Sequence, residues 1–221
     1  MTLEEVFKVL VKVVEEDETR PKSFHIGHVV LAMFELDREK PVSREKLSSL
    51  LGLGGGAIRS LLTRLNLNHL ISITYRGIRL RGIGIEINKK LRETISGPFE
   101  VSLEYLNVDA YNIAFIIKGI EKEKLKPLEV RDLVVKFGGT GATLCTYIED
   151  KIEIPFVIDD LAKQSPHDYY AIKKLGLNEG DLILIVSAPS LVSAKVSGAA
   201  AIAIALQKIE QKNLHTSFSV S

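Results

Sequence analysis

The sequence predicts an α+β protein of two domains, the first built from helices and one hairpin and the second from a sheet with helices. The chain has 221 residues, more than the roughly 100–150 of a typical single domain. The apolar pattern changes beyond Pro98, where β-prone runs begin to alternate with helical ones, and Ser96-Gly97-Pro98 separates the two regions. We therefore place the predicted domains at residues 1–96 and 97–221.

Two helices are predicted within the first 37 residues. Thr2 and Glu5 have the spacing of a capping box, and an apolar stripe follows over residues 3–14. A second helix is predicted from about residue 25 to residue 36. The first helix either covers its own domain or pairs with a second copy of the chain, and the sequence leaves both interpretations open.

Residues 43–65 have the pattern of two short helices joined by a glycine turn. Ser43 precedes a helix-forming run and is a suitable N-cap, and Gly52 suits the helix end. Three glycines, residues 54–56, lead into the next helix. In that helix the apolar residues fall at i, i+3, i+4 and i+7 and must face a core: Ile58, Leu61, Leu62 and Leu65. The spacing predicts a helix-turn-helix.

A hairpin is predicted directly after these helices. Residues 70–75 suit a strand, and Arg76-Gly77 supplies a turn. In the returning strand, Ile78 and Leu80 alternate with Arg79 and Arg81, so one face is apolar and the other basic. A helix from about residue 84 to residue 95 closes the domain. This order predicts a winged helix-turn-helix, whose second helix enters the major groove of DNA.

The predicted DNA-binding residues are polar or basic side chains outside the apolar stripes. Arg59 suits a bidentate contact to guanine, while Ser60 and Thr63 suit phosphates or bases. The arginines of the hairpin suit the phosphate backbone or the minor groove. The full predicted set is Ser43, Arg44, Lys46, Gly56, Arg59, Ser60, Thr63, Arg64, Arg76, Arg79 and Arg81.

The distribution of charge favours the same surface. Residues 38–92 contain 12 Lys and Arg against 3 Asp and Glu, a net charge of +9, although the whole chain carries only +1. Residues 97–221 contain 13 against 16, a net charge of −3. The asymmetry indicates a polyanionic partner, which we expect to be double-stranded DNA. The alternatives are that these arginines only keep the domain soluble, or that the winged domain binds RNA or protein.

The second half is predicted to have the order β-α-β-β-α-β-α. The predicted elements are a strand over residues 108–118, a helix from Pro127, strands over 142–148 and 152–157, helical segments within 159–175, a strand over 181–186 and a long helix from Ser190 to about residue 212. The hairpin inside this order predicts a mixed or antiparallel sheet with helices on one face.

Two loops of the second half are candidates for a ligand site. One is the glycine-rich segment 137–143, and the other is the turn from Ser187 into the last helix. Glycine-exposed backbone and helix N-termini favour negative charge, so the expected ligand is a small anionic effector. The predicted ligand-binding residues are Gly139, Thr140, Gly141, Thr143, Ser187, Ser190 and Ser193. The alternative is that glycine only ends one helix and serine only caps another.

Other chemistry is not indicated. Cys145 is the only cysteine and lies in a strand-like run, which predicts a buried thiol. His25 and His28 have metal-compatible spacing without a cysteine or carboxylate cluster, so we predict no metal, no cofactor and no catalytic residues. The acidic residues 15–18 argue against a signal peptide, and the apolar run 198–206 is too short to span a membrane. We therefore expect a cytoplasmic protein without a membrane partner.

The chain resembles archaeal winged-helix transcriptional regulators in the segment LGLGGGAIRSLLTRLNLNHLISITYRGIRL. The segments RDLVVKFGGTGATLCTYIEDKIEIP and LGLNEGDLILIVSAPS resemble the uncharacterised C-terminal domain of a small group of such proteins. That domain is similar in turn to the two-layer α/β insertion domain of bacterial-type aspartyl-tRNA synthetases. The resemblance implies a DNA-binding, homodimeric transcription regulator whose second domain senses an effector or holds the dimer. The alternative is an RNA-linked or metabolic enzyme whose winged domain serves only for docking.

Overall fold

The computed structural model describes residues 1–15 and 23–218, and side chains as far as residue 210. Residues 16–18 of the acidic run lie outside the described residues. The protein is α+β, with antiparallel sheets and helices. It divides into two compact units, Met1–Arg92 with Glu210–Ser221 and Glu93–Ile209.

The first unit opens with four helices. They are α1 (Leu3–Glu15), α2 (Ile26–Glu35), α3 (Arg44–Leu51) and α4 (Gly55–Leu67). The capping box of α1 is present, because the Thr2 N–H donates to Glu5 Oε2 at 2.7 Å and the Glu5 N–H donates to Thr2 Oγ1 at 3.2 Å. The apolar stripe of α1 is buried, including Val6, Phe7 and Leu10, so this helix covers its own unit.

A two-stranded hairpin follows the four helices. Strand β1 (Ile71–Thr74) pairs antiparallel with β2 (Gly77–Leu80), and α5 (Ile83–Thr94) comes next. Val42, just before α3, exchanges backbone hydrogen bonds of 2.8 and 2.9 Å with Ile78, so the chain before α3 pairs with the hairpin at one isolated β-bridge. The hairpin is therefore joined to the segment that leads into α3.

The second unit is built on a five-stranded antiparallel sheet in the order β3-β4-β7-β5-β6. Its strands are β3 (Ile95–Glu100), β4 (Tyr111–Ile117), β5 (Gly141–Ile148), β6 (Lys151–Glu153) and β7 (Leu182–Ala188). Its helices are α6 (Pro127–Lys136), α7 (Leu161–Gln164), α8 (Pro166–Lys173) and the part of α9 (Leu191–Phe218) that ends at Ile209. The strands β4 and β7 lie at the centre of the sheet and are almost fully buried.

Helices cover both faces of this sheet, so the predicted two-layer arrangement with helices on one face is wrong. Leu161 of α7 and Ile172 of α8 pack in one core with Cys145 and Ile183 of the sheet. On the opposite face, α9 lies so close to β4 and β7 that a Cβ at Gly198 would be 2.5 Å from the Phe115 ring. The helices α7 and α8 are too short to show a long apolar stripe. The sequence therefore does not predict that they cover the second face of the sheet.

The predicted domain boundary at Ser96-Gly97-Pro98 also needs correction. These residues lie inside β3, which follows α5 without a loop, and the unit boundary falls between Arg92 and Glu93. The register of β3 against β4 shifts between Ser96 and Phe99. Because β3 is an edge strand, it tolerates a Gly-Pro pair at this irregularity, where a linker was expected.

The last helix is long and apolar. Its segment Leu191–Glu210 is long and apolar enough to cross a membrane by length and mean hydropathy alone, although the apolar run predicted from the sequence was shorter. Of its apolar 18-residue window, 67% is buried inside the protein. A helix that is apolar all round and packed in this way is typical of the core of a soluble protein.

Candidate nucleic-acid interface

The N-terminal end of α4 is open and carries no side chains. Gly54 is the N-cap, and Gly54, Gly55 and Gly56 are all exposed. A Cβ at Gly54 or Gly56 would meet nothing within 4 Å, and neither residue has a positive φ. Packing inside the protein therefore does not require glycine at these two positions. The first N–H groups of a helix have no partner within it, so the bare turn leaves hydrogen-bond donors and the positive end of the helix dipole accessible.

Arg59 is one turn further along α4 and is exposed. Its Nε donates to the carbonyl oxygen of Gly55 at 2.9 Å, so the guanidinium lies back over the first turn of the helix. Thr63 is exposed one turn later, whereas Ser60 is half-buried. The exposed side chains of α4 thus follow the face opposite the buried Ile58, Leu61 and Leu65.

Arg64 does not belong to this exposed face. Its Nη1 donates to the carbonyl oxygens of Val14 at 2.9 Å and Val13 at 3.3 Å, in the last turn of α1. Its guanidinium also lies 5.3 Å from the centre of the Phe24 ring. Cations are favourable at helix C-termini, where carbonyl groups lack partners within the helix. Arg64 therefore ties α4 to α1, and we remove it from the predicted DNA-binding set.

The hairpin presents basic side chains on one face and at its tip. Arg79 is exposed and pairs across the strands with Ser72, while its neighbours Ile78 and Leu80 are buried. Arg76 lies in the turn beside Tyr75, with its Nε donating to the Tyr75 hydroxyl at 2.8 Å. Buried isoleucine or leucine therefore alternates with exposed arginine along the returning strand, as the sequence predicts.

Tyr75, which the sequence pattern predicts only as part of a strand, is a further candidate for contact with nucleic acid. It stands in the turn between the strands and is 90% exposed, and the Arg76 guanidinium lies 5.3 Å from its ring centre. An exposed aromatic ring paired with arginine suits contact with a nucleic-acid sugar or base. The signal available in the sequence was its position just before Arg76-Gly77.

The remaining predicted positions flank α4 and the hairpin. Ser43 caps α3 by accepting from the Lys46 N–H at 3.2 Å, and Arg44 lies 3.6 Å from the carboxylate of Glu45. Arg81 lies with its Nη2 3.2 Å from Nδ1 of His69. The predicted residues that are exposed are Ser43, Arg44, Lys46, Gly56, Arg59, Thr63, Arg76, Arg79 and Arg81.

The histidine pair has a structural role. His25 caps α2 by accepting from the Gly27 N–H at 3.2 Å, and Nδ1 of His28 accepts from the His25 N–H at 3.2 Å. Burial disfavours the charged form of both rings and lowers the pKa of each to about 4. Among the residues that the structure describes, no three His, Cys, Asp or Glu side chains are grouped as metal ligands.

The two predicted ligand loops of the second unit are adjacent, but their polar groups form hydrogen bonds within the protein. The Thr140 N–H donates to the Ser187 carbonyl at 2.8 Å. The Ser187 hydroxyl donates to Asn112 at 2.6 Å, and the Ser190 hydroxyl donates to Ser193 at 2.9 Å while accepting from its N–H. Thr143 lies within β5, opposite Ile185. The serine hydroxyls are therefore engaged within the fold, and Ser190 caps the last helix.

The same loops do not favour an anion. The Thr140 hydroxyl donates to the carboxylate of Asp109 at 2.5 Å. This bond, with the one from the Ala110 N–H, lowers the pKa of Asp109, so a negative charge already stands at the loop. Gly139 is buried, and a Cβ there would be 2.4 Å from Val134, so its glycine is required by packing. A buried Gly141 starts β5 beside Val108.

Comparisons with known proteins cover both units. A family model described as a domain of unknown function (DUF4443) matches residues 108–207. A solved structure of a hypothetical protein from Pyrococcus horikoshii OT3 is similar at 28% sequence identity with a TM-score of 0.66. The similarity covers 85% of this chain and 94% of that protein, which supports the α+β fold as a whole. No curated protein matches the chain.

Proposed function

We propose that the protein is a transcription regulator whose first unit is a winged helix-turn-helix that binds double-stranded DNA. The observation that carries the proposal is the order of elements in that unit. The β-bridge at Val42 is followed by α3, α4 and the hairpin β1–β2, and exposed arginines lie on α4 and on the hairpin. In a winged helix-turn-helix, the helix in the position of α4 enters the major groove.

The chemistry of the exposed residues supports separate roles for α4 and the hairpin. Arg59 projects from the first turns of α4, so it is our candidate for reading a guanine through two hydrogen bonds. The bare turn at Gly54–Gly56 lets the helix backbone approach a phosphate. Arg79 and Arg76 of the hairpin supply charge for the backbone of the duplex, where contacts position the protein without reading sequence.

We further propose a cytoplasmic homodimer that binds paired half-sites. Paired sites are common for helix-turn-helix proteins and match the two-fold symmetry of a dimer. The apolar stripe of α1 is buried against its own unit, so the dimer interface requires another surface. Light scattering on the purified chain measures the number of copies directly. A monomer at micromolar concentration would contradict the proposed dimer but not the proposed binding of DNA.

The test of DNA binding compares two arginines with a matched control. Binding of the full chain is measured by fluorescence anisotropy on a sequence selected from random duplexes and on scrambled duplexes, over a range of salt. Arg59→Ala should cost about 1–3 kcal/mol on the selected sequence and relax its preference. Arg79→Ala should weaken binding to all duplexes alike and reduce the salt slope by about 1.

Arg131→Ala is the control, because Arg131 is an exposed arginine of the second unit. It should bind DNA as the parent does. If selection finds no preferred duplex and both test variants bind like the control, the first unit is not a DNA reader. That result would favour the alternative of a docking module attached to an enzyme.

A further inference from the structure

The second unit contains a cavity that neither predicted ligand loop touches. It has a volume of about 470 Å³ and opens between the start of α6 and the edge of the sheet at β5, β6 and β7. Its walls are mainly apolar, and the lining residues on which the inference rests are Leu125, Leu144, Thr146, Glu153, Phe156 and Leu182. A cavity of this size accommodates a small organic molecule.

A buried hydroxyl in the cavity wall has no hydrogen-bond partner among the described residues. Thr146 is only 2% exposed, and its Oγ1 is the buried side-chain polar atom without a hydrogen bond among the described residues. Buried polar groups in proteins are almost always hydrogen-bonded, since an unpaired one costs free energy of folding. A bound molecule would therefore provide the hydrogen bond that the described residues do not give to this hydroxyl.

A carboxylate stands beside this hydroxyl. Thr146 of β5 pairs across the strands with Glu153 of β6 on one side and with Leu182 of β7 on the other, so the three side chains project from one face of the sheet. Glu153 is half-buried, and its side chain forms no ion pair or hydrogen bond with any described residue. An acceptor and a hydroxyl side by side match a ligand that donates hydrogen bonds. Lys122, Glu123 and Lys126 also line the cavity, and Lys126 is paired with Glu129 at 3.3 Å. Glu153 is the charged residue that neighbours the hydroxyl across the strands, and its charge favours a cationic donor there.

An aromatic side chain stands at the mouth of the cavity. Ile154 and Ile158 exchange backbone hydrogen bonds of 2.8 and 3.0 Å, which close a tight turn over residues 155–157. Phe156 in this turn has a positive φ of 65° and a fully exposed ring, although it lines the cavity. Non-glycine residues held in this region of φ concentrate at ligand sites. If Phe156 covers an apolar ligand, its ring is removed from water, which is favourable in free energy.

We propose that this cavity binds a small amine with an apolar body, whose ammonium group is held by Glu153 and Thr146. The apolar body packs against Leu125, Leu144 and Leu182 and beneath Phe156. This site differs in place and in charge preference from the anionic site predicted between the glycine and serine loops. It stands whether or not the first unit binds DNA.

The test uses three probes of similar size on the full chain: 2-phenylethylamine, 2-phenylethanol and phenylacetate. Calorimetry and thermal unfolding measure binding to the parent, Thr146→Val, Glu153→Gln and Glu86→Gln. We expect the amine to bind most tightly and phenylacetate least. Thr146→Val should weaken amine binding about tenfold while the empty protein stays folded, because the substitution removes only a hydroxyl.

Glu153→Gln should remove the preference for the amine over the alcohol, since it removes the charge and keeps the shape. Glu86→Gln is the control, because Glu86 is an exposed glutamate of the first unit, and it should behave as the parent. Absence of amine binding to the folded parent at millimolar concentration overturns the proposal, as does binding that survives both cavity variants unchanged. Tightest binding of phenylacetate overturns the assignment of an amine.

Discussion

Alanine at Gly56 should make the protein more stable and its binding to DNA weaker. Gly56 lies in the first turn of α4, and the added Cβ would meet nothing within 4 Å. Replacing a helical glycine by alanine without strain stabilises a protein by about 0.4–1 kcal/mol, chiefly by restricting the unfolded chain. The protein should therefore unfold at a higher urea concentration.

The effect on DNA binding should have the opposite sign. In the proposed complex the bare turn approaches a phosphate, and a methyl group at Gly56 would hold it away. Loss of one hydrogen bond to a charged group costs about 1.5–3 kcal/mol, which is roughly a 10- to 150-fold loss of affinity. Fluorescence anisotropy on the selected duplex measures this loss, and urea unfolding followed by circular dichroism measures the stability.

The matched control is Asn66→Ala, at the opposite end of the same helix. Asn66 is exposed and alanine is the better helix former, so this variant should gain a few tenths of a kcal/mol in stability without losing affinity. If Gly56→Ala is stabilised and binds DNA as tightly as the parent, the N-terminal turn of α4 does not touch DNA. A loss of stability would instead show that the space around Gly56 is occupied.

Two further variants test the internal contacts. Arg64→Met should destabilise the first unit by about 1–3 kcal/mol because two carbonyl groups of α1 lose their donor. Arg59→Met should stay within about 0.5 kcal/mol of the parent, and equal stabilities of the two variants in urea would contradict the role of Arg64 in joining α4 to α1. Burial of Asp168 opposes its ionisation, but hydrogen bonds from the N–H groups of Glu104 and Leu106 and from His167 outweigh the effect of burial and lower the pKa of Asp168. The ionised carboxylate therefore stabilises the fold fully above about pH 4, and this stabilisation is lost as the pH falls through the lowered pKa. Asp168→Asn should therefore destabilise the second unit by about 2–3 kcal/mol at pH 7, with a deficit that shrinks in acid; a deficit independent of pH would contradict this account.

The sequence predicted most elements of the fold because their signals are local. The capping box of Thr2 and Glu5, the proline that starts α6 and the alternation of Ile78, Arg79 and Leu80 each depend on neighbouring residues. The strand β3 was missed for the opposite reason. Its pairing with β4 is a contact between distant residues, and the Gly-Pro pair within it has the local signature of a loop.

The candidate sites were less predictable, because the partner of a polar side chain cannot be read from spacing. Arg64 and Arg59 both lie outside the apolar stripe of one helix, yet only Arg59 is free of distant contacts, since Arg64 reaches carbonyl groups about 50 residues away. The cavity at Thr146 and Glu153 has no sequence motif. It exists because α6 starts at the edge of the sheet and leaves β5 and β6 partly uncovered.

Glycine gives the sharpest contrast between the two predicted sites. The glycine-rich segments 54–56 and 138–141 look alike in sequence, but only the second was predicted to bring the backbone close to an anion. At Gly139 a Cβ would collide with Val134 at 2.4 Å, so the protein itself explains the residue. At Gly56 a Cβ would meet nothing, and alanine would favour the helix. A residue that costs stability and that no internal contact requires points to a partner outside the chain, which is why the proposed DNA contact rests on the first segment and not on the second.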